Sequence, residues 1–278
     1  MALLQVNFIS RTLMRTVPVN VILPVDKLTW EDVPQKEIRP FKTLYLLHGM
    51  LGNYMDWVSA TNIQRWAEEK NLAVVMPSGD NKFYVDQKEG HNYYGEFIGQ
   101  ELVEITRKMF PLSHKREDTF IAGLSMGGYG AIRNGLKYHD VYGYIAGLST
   151  GTVIDEIEKR VNDTPNFINR RDFAESIFGD LSKVKQSDMN PEWLVKQLVA
   201  RGVVLPKVYL ACGVDDSRLA GNRRMRDYMQ ASGLDVTYEE GPGAHEWDFW
   251  NRYIKKVIDW LPLDEDTLVG ISSGNIGV

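Results

Sequence analysis

The sequence predicts an α/β fold: a mostly parallel central sheet with an N-terminal antiparallel strand pair and helices on both faces. Three observations carry the prediction. Short apolar runs recur along the chain, segments of helical spacing separate them, and the first 23 residues instead alternate apolar and polar side chains. A strand buried on both faces reads as an unbroken apolar run, whereas a strand with one wet face alternates. Strand–helix alternation then argues for parallel strands joined through covering helices.

Leu3–Ser10 and Met14–Leu23 read as the antiparallel pair. A polar, proline-bounded loop follows from Pro24 to Pro40. Buried strands are expected at Thr43–Leu47, Ala73–Pro77, Thr119–Gly123, Gly143–Leu148 and Lys207–Cys212. Helices are expected near Asn62–Lys70, Glu96–Phe110, Gly127–Tyr138, Leu219–Ser232 and Glu246–Leu261. Thr150–Pro206 has helix-like stretches but no core strand, and it falls between two strands. It is expected to be a cap-like insertion, residues 150–206, over the C-terminal edge of the sheet, where open α/β sheets bind ligands. A peripheral insertion without substrate contact is the plainer alternative. Residues 1–278 are read as a single domain carrying this insertion.

Composition narrows the function classes. The net charge is −5 and there is no Lys/Arg run, so neither nucleic acid nor an anionic membrane surface is indicated as a partner. One cysteine, Cys212, rules out an internal disulfide framework. Gln5, Asn7, Ser10 and Arg11 interrupt the N-terminal segment, and no 18 consecutive apolar residues occur. The expectation is a soluble, cytoplasmic protein without a membrane span.

The chemistry concentrates at Gly123-Leu-Ser125-Met-Gly127, a G-x-S-x-G pattern with an apolar strand before it and a small-residue helix start after it. A sharp strand-to-helix turn leaves Ser125 strained with its hydroxyl projecting, and side chains two residues away would collide with neighbouring backbone. Glycine is needed at both flanking positions for that reason. The following helix start aims backbone N–H groups where negative charge will develop. This elbow belongs to the α/β-hydrolase fold, whose chain order is nucleophile, acid, histidine.

A serine hydroxyl needs a base. Of the histidines after Ser125, His139 stands at the far end of the helix that Ser125 begins, about 20 Å away at 1.5 Å per residue. His245, in Gly241-Pro-Gly-Ala-His-Glu-Trp-Asp248, sits between a late strand and the last helix, where the fold presents its base. The acid is expected after Lys207–Cys212, and spacing leaves Asp215 and Asp216 as alternatives. Its task is to accept the imidazole Nδ1–H and hold the tautomer. The oxyanion donors are expected to be the amides of Met126 and Met50, with Leu51 as a neighbour. His48 precedes the serine and reads as a structural residue that bonds loop backbone. Cys212, ending a buried strand, reads as a small core residue.

With these residues in view, the chain resembles the esterase D-like serine esterases, closest to the tributyrin esterase branch. The resemblance rests on Tyr45-Leu-Leu-His-Gly-Met50 with Gly52-Asn53 and Asp56-Trp57, on Val74-Val-Met-Pro77 and on Asn92-Tyr-Tyr94. It continues through Lys115-Arg-Glu117, Thr119–Gly130, Ala211-Cys-Gly213, Asp235-Val-Thr-Tyr238 and His245-Glu-Trp247. The family pattern puts the acid three residues after the glycine of Ala-Cys-Gly, which selects Asp216. The family usually has an apolar or aromatic residue next, where this chain has Ser217-Arg218.

The resemblance implies hydrolysis of small-molecule, short-chain acyl esters through an acyl-enzyme intermediate, without metal or cofactor. It also implies a tendency toward homo-oligomers. Acetyl, butyryl, feruloyl or carbohydrate-linked esters fit it; an S-formylglutathione hydrolase-like thioesterase or an acyltransferase is the alternative on the same triad. Leu51, Trp57, Tyr94 and Trp247, together with Tyr93, are candidate pocket residues. A hydrolase-fold binding protein without activity usually lacks one of the three reacting residues, and here all three positions are filled.

Overall fold

The alternating N-terminal residues form β1 (Ala2–Ser10) and β2 (Arg15–Leu23), paired antiparallel with Ala2 opposite Leu23 and Ser10 opposite Arg15. The computed structural model describes residues 1–26 and 39–263, so most of the expected Pro24–Pro40 loop lies outside the described residues. The turn between the two strands is held from the body of the molecule. The Glu101 carboxylate accepts from the Ser10 hydroxyl and from the Arg11 and Thr12 amides, which satisfies the turn's exposed donors.

The apolar runs become β3 (Thr43–Leu47) and β4 (Ala73–Pro77), with the bounds the sequence predicts. A two-stranded ribbon, β5 (Asp86–Gln87) with β6 (Asn92–Tyr93), follows. Its strands are too short to leave a periodic signal. Then come β7 (Thr119–Leu124), β8 (Tyr144–Leu148), β9 (Lys207–Gly213) and β10 (Val236–Gly241). The eight-stranded sheet runs β1-β2-β4-β3-β7-β8-β9-β10. β2 meets β4 antiparallel, and from β4 to β10 every neighbouring pair is parallel.

Both faces of this sheet are covered. Along β3, Leu44 and Leu46 pack into one hydrophobic layer while Tyr45 and Leu47 pack into the other. That period-two split explains why an unbroken apolar run was needed. The helix Tyr94–Met109 (with a π turn at Phe97–Glu101), Met126–Lys137 and Leu219–Ala231 contribute to the Tyr45 layer. Asp56–Ala60, Ile63–Glu69 and Trp247–Trp260 contribute to the Leu44 layer. Each such Leu or Val burial is worth roughly 1.5–3 kcal/mol.

Between β8 and β9 the described residues hold helices and turns but no strand. The α-helices are Arg171–Phe178, Leu181–Val184 and Pro191–Ala200. The last begins as helices prefer to: the Asn190 side chain accepts from the Glu192 amide at 3.1 Å, and proline takes the first position. An ionic cluster ties this segment to the sheet's helices. Arg133, fully buried, donates to Asp188 at 3.0 Å and faces Asp86 at 3.5 Å, while Lys137 bridges the same two aspartates.

Candidate active site

β7 ends at Leu124, and the next residue carries the turn. Ser125 has φ 53° and ψ −114°, a region that side-chain-bearing residues rarely adopt. Its amide donates to Leu148 O at 2.9 Å, and its carbonyl accepts from Tyr129 N at 3.1 Å and Gly151 N at 2.9 Å. The two flanking glycines are sterically required. A Cβ on Gly123 would lie 2.3 Å from Gly127 O, and one on Gly127 would lie 2.4 Å from Leu47 O.

The loops after β9 and β10 deliver the partners. They touch backbone to backbone, since a Cβ on Gly213 would meet Gly243 O at 2.1 Å. Asp215 N donates to that same carbonyl at 3.1 Å. This turn leaves Asp215 exposed and directs Asp216 inward, where it is 5% exposed. His245 Nδ1 lies 2.9 Å from Asp216 Oδ2, and its Nε2 lies 2.9 Å from Ser125 Oγ. The three residues form one hydrogen-bonded line, with Nδ1–H donating to the carboxylate and the serine hydroxyl donating to Nε2.

Burial disfavours the Asp216 carboxylate, but hydrogen bonds from His245, the Arg218 amide and the Ser149 hydroxyl outweigh it. They hold the carboxyl below its usual value. Ser149, buried with φ 47°, also accepts from Trp250 Nε1 at 3.1 Å. The Trp250 ring in turn stands edge-on to the His245 ring at 4.9 Å. Neither Ser149 nor Trp250 was singled out from sequence. Each lies at the end of an apolar run or inside a helix, and only the fold brings them to the acid.

The loop after β3 lies against the nucleophile: a Cβ on Gly49 would sit 3.6 Å from Ser125 Cβ. Met126 opens its helix, so its amide has no intrahelical acceptor. Met50, half-buried, follows Gly49 in the loop after β3. Neither amide has a hydrogen-bond acceptor among the described residues. Leu51 differs: its amide donates to Asn81 Oδ1 at 2.8 Å, its φ is 66°, and its side chain is 75% exposed. His48 bonds loop backbone, as expected. Its Nδ1–H donates to Gly49 O at 2.6 Å, its Nε2 accepts from Gly79 N at 2.8 Å, and burial holds its pKa below the ordinary value.

Two expected pocket residues are corrected. Trp57 is 1% exposed, donates its Nε1–H to Leu47 O at 3.0 Å and packs edge-on against Trp247. Tyr94 is also 1% exposed, with its hydroxyl engaged by Asp80 and Arg15. Both are interior residues, held there by the Trp57 indole N–H on Leu47 O and by the Tyr94 hydroxyl between Asp80 and Arg15. Trp247 is half-buried between Trp57 and Trp250, and Tyr93 is half-buried in the β5–β6 ribbon. Among the described residues no cluster of His, Cys, Asp and Glu is arranged to hold a metal, and no helix is long and apolar enough to cross a membrane.

Fold and site together define a serine hydrolase of the α/β-hydrolase class. The sequence matches the Esterase family model over residues 10–259, and the chain belongs to that family. It is 43% identical to an acetyl esterase of Caldicellulosiruptor saccharolyticus, over 94% of this chain and 98% of that protein. Among solved structures it is similar to FphF, a fluorophosphonate-binding serine hydrolase of Staphylococcus aureus (TM-score 0.82, 33% identity, 95% and 99% of the two chains). It is also similar to FrmB, an S-formylglutathione hydrolase of the same organism (TM-score 0.79, 33% identity, 94% and 98%). The chain is an ester-hydrolysing enzyme.

Proposed function

We propose that this enzyme is a carboxylesterase for short-chain acyl esters, of the tributyrin esterase kind, working through an acyl-enzyme on Ser125. The observation that carries the reading is the line Asp216–His245–Ser125, with both hydrogen bonds at 2.9 Å. Ser125 Oγ attacks the ester carbonyl while His245 Nε2 takes its proton, and Asp216 stabilises the imidazolium so formed. The Met50 and Met126 amides donate to the tetrahedral oxyanion, each worth about 3 kcal/mol. His245 then returns the proton to the leaving alcohol oxygen. Water repeats the sequence on the acyl-enzyme, which releases the carboxylic acid. Similarity to the acetyl esterase supports a short acyl group.

Residues 150–206 complete this reading as a cap on a single domain. The Gly151 amide bonds the carbonyl of Ser125, and Asn222 grips both backbone groups of Thr150 at 3.1 Å, so the segment starts directly beside the nucleophile. A cytoplasmic location also belongs to the proposal. Similarity to FrmB favours a second reading, a thioesterase for S-formylglutathione on the same residues.

The test is hydrolysis of p-nitrophenyl acetate, butyrate and octanoate by wild type and Ser125→Ala, beside S-formylglutathione. Fastest turnover of the short esters, abolished in Ser125→Ala, is the expected result. Wild-type rates in Ser125→Ala would overturn the assignment of the nucleophile. A strong preference for S-formylglutathione would select the second reading, and turnover only with an added alcohol or thiol acceptor would indicate a transferase.

A further inference from the structure

In the loop after β3 the amides of Leu51 through Met55 are all bound. Leu51 N donates to Asn81 Oδ1 at 2.8 Å, Gly52 N to Gly49 O at 3.3 Å and Asn53 N to Asp56 Oδ1 at 3.1 Å. Tyr54 N donates to Ser78 Oγ at 3.1 Å and Met55 N to Asn53 Oδ1 at 2.8 Å. The Met50 amide just before this run is the one left to meet a developing oxyanion.

The bond from Gly52 N to Gly49 O closes a β-turn with Met50 and Leu51 at its centre. Of its residues only Leu51 has a positive φ, 66°, which makes the turn type II, a form that asks for glycine or asparagine at that position. Leucine by itself disfavours such a φ. A type I turn keeps the same closing bond and gives Leu51 an ordinary negative φ; the two forms differ by turning over the Met50–Leu51 peptide. Asn81 decides between them. Its Oδ1 accepts the N–H of that peptide, and in a type I turn the Met50 carbonyl would face the same oxygen, acceptor against acceptor.

Asn81 is half-buried in the loop after β4, and that loop is firmly seated. Gly79 N donates to His48 Nε2 at 2.8 Å, and the Tyr84 hydroxyl donates to His48 O at 3.0 Å. Asn134 Nδ2, on the helix that Ser125 opens, donates to Tyr84 O at 3.0 Å. The Tyr84 ring lies against the same helix, where a Cβ on Gly130 would come within 2.4 Å of it. One loop thus ties the Met50 turn to the helix that carries the Met126 amide. The turn itself lies at the nucleophile, since a Cβ on Gly49 would be 3.6 Å from Ser125 Cβ.

We propose that Asn81 is a positioning residue of the reaction: its side-chain oxygen holds the Gly49–Gly52 turn in the type II form and so fixes the Met50 amide for the oxyanion. Turning the Met50–Leu51 peptide over would reverse its dipole beside the oxyanion and release the neighbouring Met50 N–H from its aim. The proposal rests on the reading of Ser125 and Met50 given above.

The experiment measures kcat and KM on p-nitrophenyl acetate for Asn81→Ala and Asn81→Asp, each in wild type and in Leu51→Gly, with urea midpoints as the control for folding. Asn81→Ala should lower kcat by about tenfold, less than the loss of a whole oxyanion donor, and leave KM within about twofold. Asn81→Asp should restore kcat, because it keeps the acceptor and offers no donor to a turned-over carbonyl. In Leu51→Gly the loss from Asn81→Ala should shrink to about twofold or less, since glycine holds a positive φ unaided. Paraoxon separates this proposal from the short-ester reading. Ser125 Oγ displaces 4-nitrophenolate from its phosphorus once, a step that needs the nucleophile and the oxyanion donors but no preferred acyl group. If wild type cleaves no ester yet reacts with paraoxon, the short-ester reading fails, and the ranking of the variants on paraoxon judges Asn81. Inertness toward both reagents would overturn both. A wild-type kcat in Asn81→Ala, a raised KM at unchanged kcat, equal losses in Asn81→Ala and Asn81→Asp, or the same loss in both Leu51 backgrounds would overturn the proposal.

Discussion

Ser125 sits in a strained backbone conformation. Its φ of 53° and ψ of −114° cost of order 1–3 kcal/mol, and the surrounding hydrogen bonds of β8 and Gly151 hold it there. Two residues of one type, Asp215 and Asp216, show how local geometry separates roles. Asp216→Asn should lower kcat by about three to four orders of magnitude, because an amide can hold the imidazole in the wrong tautomer. Asp215→Asn, at an exposed position, should remain near wild type in the same assay. The reverse ranking would move the acid to Asp215. Cys212 illustrates the opposite case, a nucleophile made inert. It is fully buried, and burial pushes its thiol up to about 12. The native protein should leave Ellman's reagent unreacted at pH 8 and release one equivalent of chromophore after denaturation; prompt reaction of the native thiol would contradict this placement.

Among elements, the β7 elbow and the 150–206 segment have different tolerances. The elbow is closed by backbone contacts that cannot yield cheaply. Gly127→Ala places a methyl 2.4 Å from Leu47 O, so it should cost about 1–3 kcal/mol in urea unfolding. It should also depress kcat, because the Met126 amide would shift with the turn; unchanged stability and kcat would show that the loop after β3 can move aside. The 150–206 segment is tied instead by Arg133, Lys137, Asp86 and Asp188. Removing the buried cation strands two carboxylates, although Lys137 and partial exposure of both aspartates soften the loss. Arg133→Met should therefore destabilise by about 3 kcal/mol, the low end for a broken buried pair. A change below about 1 kcal/mol in the denaturation midpoint analysis would mean the network is neutral overall.

For the whole molecule, the pH dependence of stability follows from carboxylates held below their usual values. Asp80, Asp188 and Asp216 each lose from burial but gain more from their partners: Tyr94 and Arg15, Arg133 and Lys137, and His245 respectively. Because folding lowers these values, the unfolded chain binds more protons in the interval between them. Their stabilisation is complete above the unfolded value, near pH 4, and is lost as pH falls through the lower folded values. Urea midpoints should decline below about pH 4, and Asp188→Asn, less stable at pH 6, should show a shallower decline. Parallel slopes for variant and wild type would remove Asp188 from the account. The sequence by itself determined the strands buried on both faces, because such burial demands unbroken apolar runs, and β3 and β4 appear with unchanged bounds. It determined Ser125 and His245 as candidates too, since a sharp elbow and a post-strand loop impose local residue patterns. It did not reveal β5 and β6, whose two-residue strands carry no period, nor the half-exposed β10 with its Glu239 and Glu240, named from sequence only as a late strand. The tertiary structure alone decided the burial of Trp57 and Tyr94 and the support of Asp216 by Ser149. Those are contacts between distant segments, as with the 120 residues separating Ser125 from His245, and local spacing cannot encode which segments the sheet order will bring together.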